Sequence, residues 1–95
     1  MPAVGVITLE LRLPACHSLK EKRQILRSRK SRLRRRHNLA MAEVGYQDLW
    51  QRSLLAAVTV SGDWSVVEGV LSSVEREVET MVGGALVAAE MERLA

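Results

Sequence analysis

With 95 residues the chain is one domain, 1–95, with a thin core and no need of a linker. Its 47% hydrophobic and 26% charged residues are ordinary globular values and exclude disorder across the whole chain, and its longest apolar runs, such as Leu54 to Val58, fall far short of the ~20 residues that span a bilayer. The net charge of +3 conceals a strong asymmetry: residues 18–37 carry ten of the fourteen basic residues and one acid, a formal +9, which leaves four cations, ten acids and −6 for the rest.

From Ala3 to Leu13 the sequence alternates, with Ile7, Leu9, Leu11 and Leu13 on one face and Thr8, Glu10 and Arg12 on the other, the pattern of a half-buried strand. Broken by Glu10 and Arg12, this run lacks the form of a secretory signal peptide. Pro14 ends it. Cys16, the single cysteine, has no partner for an internal disulfide, which fits a reducing cytoplasm. Ser18 followed three residues later by Glu21 reads as a capping box that opens a helix. Leu19, Leu26 and Leu33, with Ile25 beside them, lay a narrow apolar stripe along that helix. His37-Asn38 supplies a cation and a cap at its end. This helix is the basic segment. Like charges one turn apart, as at Arg23 and Arg27 or Lys30 and Arg34, cost roughly 0.2–0.5 kcal/mol per pair, so the charge requires an offset or a use.

Leu39 to Val44 is a second apolar run of strand length, followed by the segment 45–52, GYQDLWQR. Leu54 to Val60, rich in Val and Ala, reads as a third strand, and it ends at Ser61-Gly62-Asp63 with Asp63 placed to cap a second helix. There Val67, Val70, Leu71, Val74, Val78 and Met81 recur at helical spacing, and Gly83-Gly84 stops the helix. Residues 85–95 favour helix by propensity, but a chain returning after three strands and two helices adds an edge strand, expected over Leu86 to Met91. The order βαββαβ defines a ferredoxin-like α+β sandwich, a four-stranded antiparallel sheet with two helices on one face.

Two motifs carry a resemblance. Ser18-Leu19-Lys20-Glu21-Lys22-Arg23 after a strand ending in Pro14, then Ala42-Glu43-Val44-Gly45, Gln47-Asp48 and Leu49-Trp50-Gln51-Arg52, and later Ser61-Gly62-Asp63, resemble the YlxP-like family of small bacterial proteins of unknown function. The similarity runs from about Ala3 to Val82. It implies a ferredoxin-like fold and no established activity; the family's genes often lie beside those for translation initiation and ribosome-maturation factors, which implies a link to RNA or the ribosome by association. Tyr46 stands where family members often carry His.

The basic helix is the first candidate site. Lys20, Arg23, Arg27, Lys30 and Arg34 follow one another at three or four residues down a helix ~30 Å long, a row suited to phosphates and to strongly salt-dependent affinity. Free N–H groups at the helix start, next to Lys20 and Lys22, extend it. The competing reading is a solvated face partly neutralised by the second helix, because residues 63–82 hold five acids against one arginine. In the second candidate, 45–52, Trp50 stacks on a base while Gln47, Asp48, Gln51 and Arg52 supply hydrogen bonds; alternatively Leu49 and Trp50 pack over the end of the sheet and Asp48 pairs with Arg52.

Other chemistries fit less well. The only aromatics are Tyr46, Trp50 and Trp64, none on the first strand where an RNA-recognition motif stacks bases, and no two glycines have the Gly-x-x-Gly spacing of a KH clamp. Pro14 to Ser18 offers no glycine-containing phosphate cradle of the acylphosphatase kind. Cys16 lies just before a helix start, where a thiol pKa can fall, but its chain neighbour His17 projects elsewhere, so a plain loop thiol is expected rather than a nucleophile. His17 and His37 sit at opposite ends of one helix and cannot share a metal. Two functions follow. The first is a non-enzymatic cytoplasmic protein that binds RNA or the ribosome through 18–37 with help from 45–52. The second is a homodimer or other homo-oligomeric module that binds protein or ligand through the sheet face opposite the helices, where Val4 and Val6 share a side with Thr8, Glu10 and Arg12. Neither needs a cofactor.

Overall fold

A computed structural model describes residues 1–81 and 86–95. The elements in chain order are β1 (Ala3–Arg12), α1 (Leu19–Arg36), β2 (Ala40–Gly45), β3 (Arg52–Ser61), α2 (Trp64–Met81) and β4 (Leu86–Arg93). The strands form one antiparallel sheet in the order β2-β3-β1-β4, so the ferredoxin-like βαββαβ arrangement is present. The first strand alternates as its sequence dictates: Ile7, Leu9 and Leu11 are buried beneath the helices, while Val4, Val6, Thr8 and Glu10 are half-buried on the opposite face. From the helix side Leu26 and Leu33 of α1 and Val67, Leu71, Val74 and Val78 of α2 complete one core with Leu55 and Ala57 of β3. Val70 is half-buried at the margin of the α2 stripe. The side chain of Met81 and the expected stop at Gly83-Gly84 lie outside the described residues.

Both helix starts are capped by the predicted residues. Ser18 Oγ accepts the Glu21 N–H at 3.0 Å, but the Glu21 carboxylate reaches back to the N–H of His17, at 3.4 Å, one residue earlier than a strict capping box places it. Asp63 accepts from the backbone N–H and the hydroxyl of Ser65, both at 2.9 Å, and these bonds hold its carboxyl below the ordinary range. His37 caps the end of α1 by donating its N–H to Leu33 O at 2.9 Å.

The carboxyl-terminal segment is a strand, longer at its end than expected. Its Ala, Glu and Met content suits a helix, yet β1 presents a free edge, and residues from Gly5↔Arg93 to Glu10↔Ala88 pair along it; tertiary pairing here overrides local propensity. One glycine sets the depth of the sandwich. A Cβ on Gly5 would stand 2.7 Å from Val67 Cγ1 and 3.0 Å from Leu71 Cδ1, so its absence lets α2 settle directly on β1. Gly5→Ala is expected to destabilise the fold by about 1–3 kcal/mol through overpacking, read as a lower urea midpoint at unchanged m-value. A wild-type midpoint would mean that α2 is free to lift.

Candidate nucleic-acid interface

The stripe Leu19, Leu26, Leu33 turns one side of α1 to the core and leaves most of its cations on the surface. Lys20, Arg23, Arg27 and Arg34 are exposed and Lys30 is half-exposed, in one row down the helix. None of the five makes an ion pair among the described residues, although α2 carries Glu68, Glu75, Glu77 and Glu79. Of these acids Glu77 meets the end of α1, where it takes Arg36 at 2.8 Å and His37 beside it. The Glu77 pairs thus fall on the last turn of α1, and no member of the phosphate-spaced row makes an ion pair among the described residues.

Lys22 is a correction to the sequence reading. Expected among the surface cations, it is only 1% exposed. Its ammonium lies 2.7 Å from Glu43 Oε2 and donates to the carbonyls of Tyr46, at 2.7 Å, and Leu49, at 2.6 Å. Glu43 Oε2 also accepts from Ser53 Oγ at 2.7 Å. An ammonium has three N–H donors, and each has an acceptor, which is the condition for keeping such a charge inside. A ligand has no access to it. The sequence did hold a signal: Lys22 stands three residues after Leu19 and four before Leu26, on the apolar stripe itself, and Glu43 interrupts an apolar strand.

The loop 46–51 is held from two sides. Lys22 fixes its carbonyls at Tyr46 and Leu49, and Gln51 Nε2 donates to Pro14 O at 3.2 Å and Cys16 O at 3.1 Å in the connection between β1 and α1. Tyr46 turns the chain with φ 57°, in the left-handed region. Gln47 Nε2 donates to Glu43 O at 3.1 Å. Gln51 thus spends its amide nitrogen inside the protein, and Gln47 spends its own on the adjacent strand.

Arg52 does not pair with Asp48. Its Nη2 bonds to Glu10 Oε2 at 3.0 Å and to the Tyr46 hydroxyl at 3.1 Å, and its guanidinium lies 4.1 Å from the centre of the Tyr46 ring. Leu49 and Trp50 are 46% and 51% exposed, so about half of each side chain is left open. Both line an open groove of about 880 Å³ together with Arg12, Pro14, Asp48, Gln51 and Arg52. The Lys22 bonds tie the backbone of this loop, at Tyr46 O and Leu49 O, to the first turn of the basic helix.

Cys16 is buried, and desolvation pushes its thiol above the ordinary range, with the charge of Glu21 acting in the same direction. That is the reverse of nucleophile activation. No group of three or more His, Cys, Asp or Glu among the described residues is placed to hold a metal ion, and no described helix is long and apolar enough to cross a membrane.

These features define a small ferredoxin-like domain with a cationic helix left open on one side and a tryptophan-bearing loop braced against its start. The chain belongs to the family described as "Protein of unknown function (DUF503)", whose model matches residues 4–91. It is 36% identical over 58 residues to "Uncharacterized protein YlxP" of Bacillus subtilis (strain 168), a match that takes in 61% of this chain and 63% of that protein. The match therefore spans less than two thirds of the length of this relative. The fold is similar to that of the de novo designed protein Foldit4, with a TM-score of 0.60 and 10% identity over 100% of this chain and 98% of the other, a likeness of architecture alone.

Proposed function

We propose that this is a non-catalytic cytoplasmic binding protein for RNA, free or in the ribosome, that docks through the exposed row Lys20, Arg23, Arg27, Lys30 and Arg34 with the Trp50 loop beside it. The observation that carries the reading is the state of that row: five cations along one helix, none met by a carboxylate among the described residues. A row of that kind is kept at a cost in like-charge repulsion, and phosphates offset it by releasing condensed counterions. The test is a salt titration of single-stranded RNA binding, in which five phosphate contacts give a log–log slope of about −3.5. A salt-independent affinity, or none at low salt, rejects the reading.

A second reading is favoured by the open sheet face. There Val4↔Val60 and Val6↔Val58 stand directly opposite each other, flanked by Ala40, Ala42 and Ala56. Such an apolar face suits a symmetric dimer. This reading expects a dimer by sedimentation at micromolar concentration, converted to monomer by Val6→Asp; a monomeric wild type removes it.

A further inference from the structure

We infer that the groove between Trp50 and Arg12 is a site for one unpaired nucleotide of a single-stranded RNA, with the base on the Trp50, Leu49 and Pro14 surfaces and its phosphate at Arg12. The inference rests on the RNA reading above and deepens it, since it states which form of RNA is preferred and which residues beyond the helix select it.

Three observations combine. First, the groove has an apolar lining that the fold leaves partly open: Trp50 is 51% and Leu49 46% exposed, and Pro14, on the same lining, is exposed. A nucleobase is a flat apolar face with a polar edge, and aromatic stacking is how proteins hold single strands irrespective of sequence. Second, the lining is also cationic and incompletely neutralised. Arg12 and Arg52 are direct partners across the β1–β3 ladder, a pairing of like charges that is unfavourable by itself. Glu10 meets Arg52 at 3.0 Å, while Arg12 is exposed and makes no ion pair among the described residues. A phosphate there relieves the repulsion that Glu10 leaves. Asp48, the one acid on the lining, supplies a carboxylate that can accept from a base N–H.

Third, the walls are set in advance. Leu13 N–H bonds to Gln51 O at 2.9 Å, Gln51 Nε2 holds the carbonyls of Pro14 and Cys16, and Lys22 and the Leu49 N–H bond to Tyr46 O at 3.0 Å fix the loop on its other side. A platform fixed in this way loses little freedom when a base stacks on it. A duplex cannot use the groove, because its bases face each other inside the helix, whereas the cationic row accepts phosphates from either form. The groove, not the helix, therefore makes the choice between them.

The experiment compares wild type, Trp50→Ala and Arg12→Gln for binding to a labelled mixed-sequence 12-nucleotide RNA, to its blunt duplex and to AMP, with circular dichroism as the check on folding. Both substituted side chains are exposed, so both variants should fold. Trp50→Ala is expected to weaken single-strand binding about 5- to 150-fold, the range for loss of one stacked base. Its duplex affinity and salt slope should stay those of wild type. Arg12→Gln should weaken single-strand binding and reduce its salt slope by about 0.7, one phosphate contact. If both variants bind the single strand as wild type does, the groove assignment is overturned while the helix reading stands. If wild type binds neither strand nor duplex, both are overturned. AMP binding as tight as that of the strand overturns the assignment to RNA in favour of a free nucleotide.

Discussion

Replacement of Arg23, Arg27, Lys30 and Arg34 together by Gln is expected to lower RNA affinity by several hundred-fold at 0.1 M salt and to flatten the salt slope by about 2.8, four contacts at roughly 0.7 each. The same substitutions should leave the protein as stable as wild type or more so. All four positions lie outside the core, Gln is close to Arg and Lys in helix propensity, and the like-charge pairs Lys20–Arg23, Arg23–Arg27, Arg27–Lys30 and Lys30–Arg34 disappear, worth about 0.2–0.5 kcal/mol each. Affinity and stability thus move in opposite directions, which separates loss of a binding surface from loss of fold. A solvated face of no consequence predicts the stability gain alone. Unchanged affinity and slope in the variant, measured beside a urea denaturation curve, would reject docking through the helix.

The fold was legible because each element carries its own period. The alternation around Ile7, Leu9 and Leu11 specified the buried face of β1, the Ser18 and Asp63 caps fixed two helix starts, and the Val67 to Val78 spacing gave the core side of α2. Only β4 required an argument from topology, since its composition pointed the other way and its partner strand lies some eighty residues earlier. The site was legible in charge and not in wiring. Lys20, Arg23, Arg27, Lys30 and Arg34 lie on the surface as read, but Lys22 looked like one more cation because the apolar stripe was traced through its leucines alone. Closeness in sequence offers Asp48 as one partner for Arg52, whereas the strand register that brings Glu10 to it is a property of the assembled sheet. Gln51 had no local sign of its role, because its acceptors belong to a distant connection. The two motifs that carried the family resemblance are in fact bonded to one another: Lys22 of SLKEKR holds the loop that contains QDLW, and Gln51 of LWQR holds the residues just before SLKEKR. That reciprocity gives them a structural reason to occur together whatever the RNA does.

The largest effect on stability is expected at Lys22. Lys22→Met keeps an unbranched stem of similar length but removes the ammonium, so Glu43 retains Ser53 and loses its counter-charge, while the carbonyls of Tyr46 and Leu49 lose their donor. Breaking a buried pair from one side costs about 3–5 kcal/mol, against roughly 5–15 kcal/mol for a whole domain. For a chain of this size that is a Tm lower by roughly 12 °C or more. Most of this is the penalty on the carboxylate left behind, so Lys22→Met with Glu43→Gln should be more stable than Lys22→Met alone, a coupling that a double-mutant cycle reads directly. The partial rescue should not extend to the loop, since neither substitution returns a donor to Tyr46 O and Leu49 O. Amide exchange in residues 46–51 should therefore stay faster than wild type in the double variant even where global stability recovers. A surface role for Lys22 predicts instead a change in Tm within the range of exposed substitutions, no coupling to Glu43 and unchanged exchange in the loop; that combination would show the ammonium to be outside the protein and the brace between helix and loop to be absent.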